Sequence, residues 1–235
     1  MLYFVFVVAG AAIMEFLLLP FYIRLKHRKK YVPLKLVLKG CMTLIPVVIC
    51  AMAFFRLYGR SGDFSEMSTS AGFQTSPLVL AGLCVCLIAD IVLAVNFPAG
   101  MVLFLLGHIC YILYFIRIGG YNPLSAVILI VAYIFTYRSF SRFREAMGRL
   151  WPAYYLYALT IDMTLSVGLM LPFGIGLYGV IPALASCLLV ISDYMLASNR
   201  LTGRKRWSDL MYLSYYFNGQ FFLALSVFGP VMMEL

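Results

Sequence analysis

"PLVLAGLCVCLIADIVLAVN", residues 77–96, is a run of twenty residues with a single charged side chain, the carboxylate of Asp90. About twenty apolar residues in a helix span roughly 30 Å, the thickness of the hydrocarbon core of a bilayer. The stretch therefore predicts a membrane-spanning helix. An ionisable side chain inside a membrane is costly and by default marks a functional cavity, so Asp90 is also the first candidate for a functional residue.

The rest of the chain has the same apolar character. Of its 235 residues, 64% are hydrophobic and 11% are charged, a composition that a soluble domain could not bury. The sequence predicts an all-α, polytopic membrane protein, a single transmembrane domain over residues 1–235 with eight transmembrane helices. The predicted spans are residues 2–23, 33–55, 77–96, 99–118, 123–140, 152–171, 175–198 and 209–230. No basic segment precedes the first span, and it is too long for the apolar part of a signal peptide, so we expect it to be retained.

The basic residues are distributed unevenly between the two sides of the predicted bundle. Connections on one side hold thirteen Lys and Arg residues, and connections on the other side hold three. The positive-inside rule then places both termini outside the cytoplasm, in an inner membrane if the cell is bacterial and in the endoplasmic reticulum if it is eukaryotic. Because the basic residues flank helices, the net charge of +9 indicates contact with anionic lipids, and no nucleic-acid partner is expected. The connection at 56–76 is rich in Gly, Ser and Thr and is predicted to be a flexible external loop.

A second stretch of the chain resembles the first. "LIADIVLAVN" (87–96) and "VISDYMLASN" (190–199) share the pattern Ile-x-Asp-x-x-Leu-Ala-x-Asn. The third and fourth predicted helices and the seventh and eighth are therefore interpreted as a parallel internal repeat, which relates equivalent residues by an axis along the membrane normal. Asp90 and Asp193 are expected to face each other, each about 9 Å inside the cytoplasmic end of its helix.

Other polar residues fall in the same layer of the predicted membrane domain. Lys39 lies at the depth of the two aspartates, Tyr157 and Tyr216 at roughly 8 to 10 Å, and deeper polar groups at roughly 14 to 17 Å. The deeper groups are His108, Asp162 and Gln220. We interpret this layer as a site, with Asp90 and Asp193 as its catalytic candidates. The alternative is that each aspartate only bonds a neighbouring helix.

Glu15, Asn96 and Asp162 are weaker candidates, and Asn199 is a supporting residue of the predicted site. Glu15 and Asp162 could join the cavity, and the residues alone do not decide this. Asn96 and Asn199 both end apolar runs, where helix capping or solvation at the interface is the favoured role.

Metal and cofactor chemistry has little support in this sequence. The chain has two histidines, so a three-histidine zinc site is excluded. The six cysteines are scattered and are interpreted as small buried apolar residues. No nucleophile elbow, phosphate loop or dinucleotide motif is present, and neither a metal nor a cofactor is expected.

Four stretches of the chain resemble the YhhN family, whose mammalian members are lysoplasmalogenases. They are "CLIADIVLAVNF" (86–97), "LFLLGHICYILYF" (103–115), "IPALASCLLVISDYMLASNRL" (181–201) and "SYYFNGQFFLALS" (214–226). The resemblance is strongest for the Ser192–Asp193 element with Asn199, and for Tyr216 with Gln220. Lys39 fits a family lysine, and Tyr157 is a weaker match. Asp162 is unusual for the family.

The resemblance implies a membrane enzyme that hydrolyses the vinyl ether of a lysoplasmalogen to a fatty aldehyde and a glycerophosphoethanolamine or glycerophosphocholine, without a metal. The residues suit that chemistry, because cleavage needs an acid for the β-carbon, a negative charge beside the oxocarbenium ion and an oriented water. Two carboxylates in different environments supply these functions in glycosidases. The expected partners are thus a lysophospholipid substrate and the bilayer. Lys39 could hold one carboxylate ionised, and His108, Tyr157, Tyr216 and Gln220 could position water or the glycerol hydroxyl.

Two other classes of protein fit parts of the same pattern. Parallel repeats with charged residues in one layer also occur in small-molecule or proton-coupled transporters. A carrier, however, should have its polar layer near the midplane, whereas the predicted layer is off-centre. A non-catalytic lipid-binding protein is the third reading, and in that case Asp90→Asn would leave lipid binding intact.

Overall fold

The protein is described by a computed structural model over residues 2–26, 31–58, 71–203 and 206–228. In these ranges the secondary structure is helical, and no strand is formed. Six stretches of the described chain have the length and apolarity of membrane spans. They are Val5–Leu25, Val32–Phe55, Ser76–Val95, Phe97–Gly119, Leu124–Ser141 and Arg144–Thr202. The prediction of an all-helical, multi-pass membrane protein is confirmed at this level.

The helices are numbered here in chain order. They are α1 (Leu2–Ala12), α2 (Leu19–Lys26), α3 (Val32–Tyr58), α4 (Ala71–Val95), α5 (Phe97–Gly119), α6 (Leu124–Ser141), α7 (Arg144–Met147), α8 (Trp151–Ile175), α9 (Val180–Thr202) and α10 (Arg206–Ser226). A π-helical turn, Ile13–Leu18, joins α1 to α2, and the 3-10 turns Gly148–Leu150 and Gly176–Gly179 precede α8 and α9.

The number of predicted spans is not confirmed. Seven α-helices in the described ranges have 18 residues or more, and the first predicted span is divided by the π-helical turn at Ile13–Leu18. The long apolar stretch Arg144–Thr202 contains both α8 and α9. The internal repeat is likewise not confirmed and stays a prediction.

The predicted external loop was too long at its C-terminal end. Helix α4 begins at Ala71 and continues through Pro77, so residues 71–76 are helical. A proline is tolerated inside a membrane helix because neighbouring groups satisfy the freed carbonyl, and it therefore did not mark the start of the helix. Residues 59–70 of the predicted loop lie outside the described residues.

Six long helices pack around the centre of the molecule. Each helix contacts the next in the order α3, α4, α5, α8, α9 and α10, and α10 also contacts α3. The six helices therefore form a closed ring. Helix α6 packs on the outside against α8, and α2 packs against α3 and α10. Large apolar side chains such as Phe16, Val95 and Phe173 point outward and are more than three-quarters exposed, as expected for a surface that faces lipid.

Glycines allow the central helices to approach closely. A Cβ atom on Gly82 of α4 would lie 2.4 Å from the ring of Tyr111 on α5, and one on Gly107 of α5 would lie 2.6 Å from the sulfur of Cys86 on α4. Small residues at such crossings are how membrane helices gain packing contacts without a hydrophobic driving force. The crossing of α4 and α5 fixes where Asp90 and His108 lie relative to each other.

Candidate active site

Asp90 is buried among groups from two other helices. Its side chain lies near the C-terminal end of α4 and is 1% exposed. The Lys39 Nζ atom on α3 is 2.8 Å from Oδ1 and 3.4 Å from the backbone carbonyl of the same residue. The hydroxyls of Thr43 on α3 and Tyr216 on α10 both donate to Oδ2, the latter at 3.0 Å. One cation and two hydroxyl donors thus surround this carboxylate.

Asp193 has a different environment. It lies on α9 and is 8% exposed. Its Oδ2 atom is 3.2 Å from Nε2 of His108 on α5 and accepts a hydrogen bond of 3.0 Å from the Tyr157 hydroxyl on α8. The other ring nitrogen of His108, Nδ1, is 3.1 Å from the hydroxyl of Thr164 on α8. The imidazole is therefore fixed at both ends, in a geometry suited to sharing a proton with the carboxylate.

Both aspartates line one small cavity among the central helices. The cavity has a volume of about 30 Å³, which is enough for one or two water molecules. Its polar walls are Lys39, Asp90, Asp193, Ser192 and Tyr216, and Phe104 and Leu213 supply part of the apolar wall. The structure thus brings together two carboxylates whose partners differ.

Each aspartate is bonded by a side chain from the other half of the chain, where the first half contains α4 and α5 and the second half contains α9 and α10. Asp90, on α4, is bound by Tyr216 of α10, the helix that follows α9. Asp193, on α9, is bound by His108 of α5, the helix that follows α4. Each carboxylate is therefore completed by a side chain from the other half of the chain, so that neither half holds a finished site.

A wider cleft adjoins the cavity at one end of the bundle. It has a volume of about 420 Å³ and shares Lys39, Leu93, Leu196 and Tyr212 with the cavity. Two more cationic residues, Lys35 and Arg200, line it together with apolar side chains such as Val32 and Phe97. The Arg200 guanidinium lies 4.8 Å from the centre of the Phe97 ring. A cleft with this mixture of positive charge and apolar wall suits the phosphate end of a lipid.

Other residues predicted for the site lie further from the two carboxylates. Ser192 lines the cavity but donates its hydroxyl to the Tyr212 carbonyl at 2.9 Å. Gln220 accepts a 2.8 Å hydrogen bond from the buried Tyr111. Asn199 accepts a hydrogen bond from Ser208 at 2.7 Å.

The three weaker candidates do not line the central cavity. Asn96 is the N-cap of α5, where its side chain accepts from the Ala99 amide. Glu15, in the π-helical turn, accepts hydrogen bonds from Ser214 and Asn218 of α10. Asp162 of α8 is fully buried, and its partners are the hydroxyls of Thr136 and Tyr194.

Two residues that contact the site, Thr43 and Thr164, were not predicted from the sequence. Thr43 follows Lys39 by four residues in α3, and residues four apart share one face of a helix, so its position could have been derived once Lys39 was chosen. Thr164 gave no such signal, because Thr in a membrane helix commonly bonds its own backbone, as it also does here with the Thr160 carbonyl at 3.0 Å.

Comparisons with known proteins identify a family. A family model described as the YhhN family matches residues 40–227, which include all of the residues that line the central cavity except Lys39. The curated proteins contain no match to the chain, and neither do the solved structures. Within the described ranges, no three His, Cys, Asp or Glu side chains lie close enough together to hold a metal ion.

Proposed function

The chain belongs to the YhhN family, and on that premise we propose that it is a lysoplasmalogenase, which hydrolyses the vinyl ether bond of a lysoplasmalogen to a fatty aldehyde and a glycerophosphoethanolamine or glycerophosphocholine. The observation that carries the proposal is the cavity shared by Asp90 and Asp193. Two carboxylates with different partners, facing one small cavity, suit a reaction that needs a proton donor and a fixed negative charge at the same place.

The two carboxyl groups have separate roles in this proposal. Lys39 lies 2.8 Å from Asp90 and two hydroxyls donate to it, an arrangement that suits a carboxylate acting through its negative charge. The proton that the reaction needs is assigned to the Asp193–His108 pair, whose Oδ2 and Nε2 atoms lie 3.2 Å apart. Asp193 with His108 is therefore assigned as the acid, and Asp90 as the carboxylate that stabilises positive charge and orients water.

The proposed reaction has three steps, which are protonation of the vinyl ether, addition of water and collapse of a hemiacetal. The Asp193–His108 pair gives its proton to the β-carbon of the vinyl ether, whose π electrons form the new C–H bond, and the ether oxygen shares the resulting positive charge. A water molecule oriented by Asp90 adds to the α-carbon and loses a proton to a carboxylate, leaving a hemiacetal. The hemiacetal hydroxyl then returns a proton to the Asp193–His108 pair as the C=O bond forms, while the bond to the glycerol oxygen breaks and that oxygen takes up the proton that the water lost. One proton is returned for each proton used.

The neighbouring groups of the site support these steps. The Tyr157 hydroxyl, 3.0 Å from Asp193, fixes the acid, and Tyr216 does the same for Asp90 at 3.0 Å. Holding reacting groups in place in this way removes much of the entropic barrier. The cleft with Lys35, Lys39 and Arg200 would take the phosphate, and the ether bond lies only a few bonds from it in the substrate.

The proposal is tested by aldehyde release from purified protein in detergent with a chelator present. Wild type should release fatty aldehyde from a lysoplasmalogen and none from the saturated-ether analogue, since only a vinyl ether can be protonated on carbon. Asp193→Asn should lower the rate by about 100-fold or more, the range in which a general acid contributes. Aldehyde release at the wild-type rate from a folded Asp193→Asn variant would overturn the assignment.

A matched control is offered by another carboxylate of the membrane domain. Glu15 is bonded to Ser214 and Asn218 and does not line the central cavity, so Glu15→Gln should leave the rate within about twofold of wild type. If folded wild type releases no aldehyde from any lysoplasmalogen head group, the lysoplasmalogenase proposal fails, and the transporter and lipid-binding alternatives should be tested by uptake and binding.

A further inference from the structure

A second cavity is lined by Asp193 and not by Asp90. It has a volume of about 30 Å³, and its wall includes Asp193, Tyr157, Tyr194 and Thr136. Asp193 lines both this cavity and the one it shares with Asp90. The carboxyl of Asp193 thus lies between two small spaces, only one of which contains the other aspartate.

An apolar groove adjoins the second cavity. The groove has a volume of about 640 Å³ and lies between α6, α8 and α9. Tyr194 lines both the groove and the second cavity, so that one side chain forms the boundary between them. From Tyr194 the groove extends along α9 to Cys187, seven residues or about 10 Å away. Its other walls are apolar and include Val127, Leu165 and Leu169.

The boundary side chain is held in place by two buried groups. The Tyr194 hydroxyl donates to the carboxyl of Asp162 on α8, and Thr136 on α6 contacts the same hydroxyl. Thr136 also donates to Asp162 at 2.9 Å. Tyr194 is thereby bonded to both helices that form the groove with α9, at the place where the groove and the second cavity meet.

We propose that this groove binds the hydrocarbon chain of the single-chain lipid substrate, with Tyr194 as the gate between the groove and Asp193. The proposal rests on the lysoplasmalogenase function, and it commits to an alkyl chain because the two ends of the path differ. The cationic cleft with Lys35 and Arg200 adjoins the cavity of the two aspartates through Lys39. The apolar groove, in contrast, adjoins the second cavity of Asp193 through Tyr194. A lipid with one polar head and one chain would place its ether bond between the two aspartates.

Chain-length preference tests the groove. Val127 lines the far end of the groove and is 55% exposed, so Val127→Trp would shorten the groove from the lipid side without overpacking the core. We expect kcat/KM to fall roughly tenfold for a long-chain lysoplasmalogen, in the range by which a pocket discriminates small changes in chain length, and to stay unchanged for a short-chain one. The matched control is Ile130→Trp on the same helix, at a residue that is 60% exposed and does not line the groove. The same chain-length profile in both variants would overturn the proposal.

Photolabelling tests the groove without any turnover. A saturated-ether lysolipid with a diazirine near the end of its chain should label the segment around Leu169 and Cys187, and an excess of unlabelled saturated-ether lysolipid should prevent this. Labelling that the unlabelled lysolipid does not prevent would show ordinary contact with the bilayer, and it would overturn the groove as a binding site for the chain. Should wild type release no aldehyde while competed labelling persists, the lysoplasmalogenase function fails and the chain site stands.

The gate has its own test in the same assay. Tyr194→Phe keeps the ring and removes its bonds to Asp162 and Thr136, so the ring should turn more readily, and a diazirine placed near the ether should label the lining of the second cavity, around Ala158 and Ile161, several-fold faster. An unchanged or slower rate in folded protein would remove Tyr194 as the gate.

Discussion

The Lys39–Asp90 pair is the residue-scale feature on which the site depends most. The two groups are 2.8 Å apart, with Asp90 1% and Lys39 14% exposed. Removal of one member of a buried ion pair leaves an uncompensated charge, which costs much more than the loss of both members. The pair should therefore matter for stability as well as for the charge state of Asp90.

Lys39→Met should lower the free energy of unfolding by about 3 to 5 kcal/mol. The double variant Lys39→Met/Asp90→Asn should regain most of that loss, because no charge is left buried. Thermal unfolding in detergent, followed by circular dichroism, measures both. If the double variant unfolds at the same temperature as Lys39→Met, the pair is not the source of the loss.

Arg200 gives a prediction about substrate recognition. It lies in the cationic cleft at 4.8 Å from the Phe97 ring, away from the two carboxylates. Arg200→Gln should raise KM for a lysoplasmalogen about tenfold, since charge-assisted contacts to phosphate are among the stronger hydrogen bonds, and should leave kcat nearly unchanged. A 1-alkenyl glycerol without phosphate serves as the control substrate, and an equal rise in KM for both substrates would contradict a phosphate contact.

At the scale of the elements, the crossing of α4 and α5 controls how the site is assembled. Gly82 has no room for a Cβ atom, which would lie 2.4 Å from Tyr111. Tyr111 in turn donates to Gln220 of α10 at 2.8 Å. The close approach of two helices is thus linked to a third through one tyrosine.

Gly82→Ala should destabilise the protein by about 1 to 3 kcal/mol, the usual cost of overpacking. Gly40→Ala on α3 is the matched control, because nothing lies within 4 Å of its Cβ position. Alanine favours the helix by up to about 1 kcal/mol there, so this variant should be neutral or more stable. Midpoints of thermal unfolding compare the two, and equal shifts would contradict a packing clash at Gly82.

The helices were predictable from apolar runs, whereas the side-chain contacts were only partly so. The apolar run around Asp90 predicted a membrane helix. The predicted depth in the membrane placed Lys39 at the level of Asp90, and the two side chains form an ion pair of 2.8 Å. Depth alone did not separate Asp162 from the other polar residues, because it gives no direction around the helix axis. Asp162 in fact bonds Thr136 and Tyr194. Gln220 shares a face of α10 with Tyr216, four residues before it, but it lies one turn further along the helix and bonds Tyr111 there.

At the scale of the whole molecule, the end of the bundle with Lys35 and Arg200 defines the side from which a lipid would arrive. The distribution of basic residues predicts that this end is cytoplasmic. Phosphatase fused to the N-terminus should therefore be active outside the cytoplasm, and fused after the predicted cytoplasmic connection around residue 144 it should be inactive. The reverse result would place the cleft on the other face of the membrane and would contradict supply of substrate from the cytoplasmic leaflet.

The exchange of partners between the two halves has a consequence for how the protein is made. Chains are synthesised from the N-terminus, and Tyr216 follows Asp90 by 126 residues, whereas His108 and Tyr157 are both made before Asp193. During insertion Asp90 therefore depends on Lys39 and Thr43 until the last long helix arrives, while Asp193 meets its partners at once. A ribosome that stops before α10 would leave in the membrane a carboxylate without its final hydroxyl donor. Completion of the carboxylate's surroundings thus coincides with completion of the membrane domain, since Lys39 and Thr43 are its only partners among these three until Tyr216 is made.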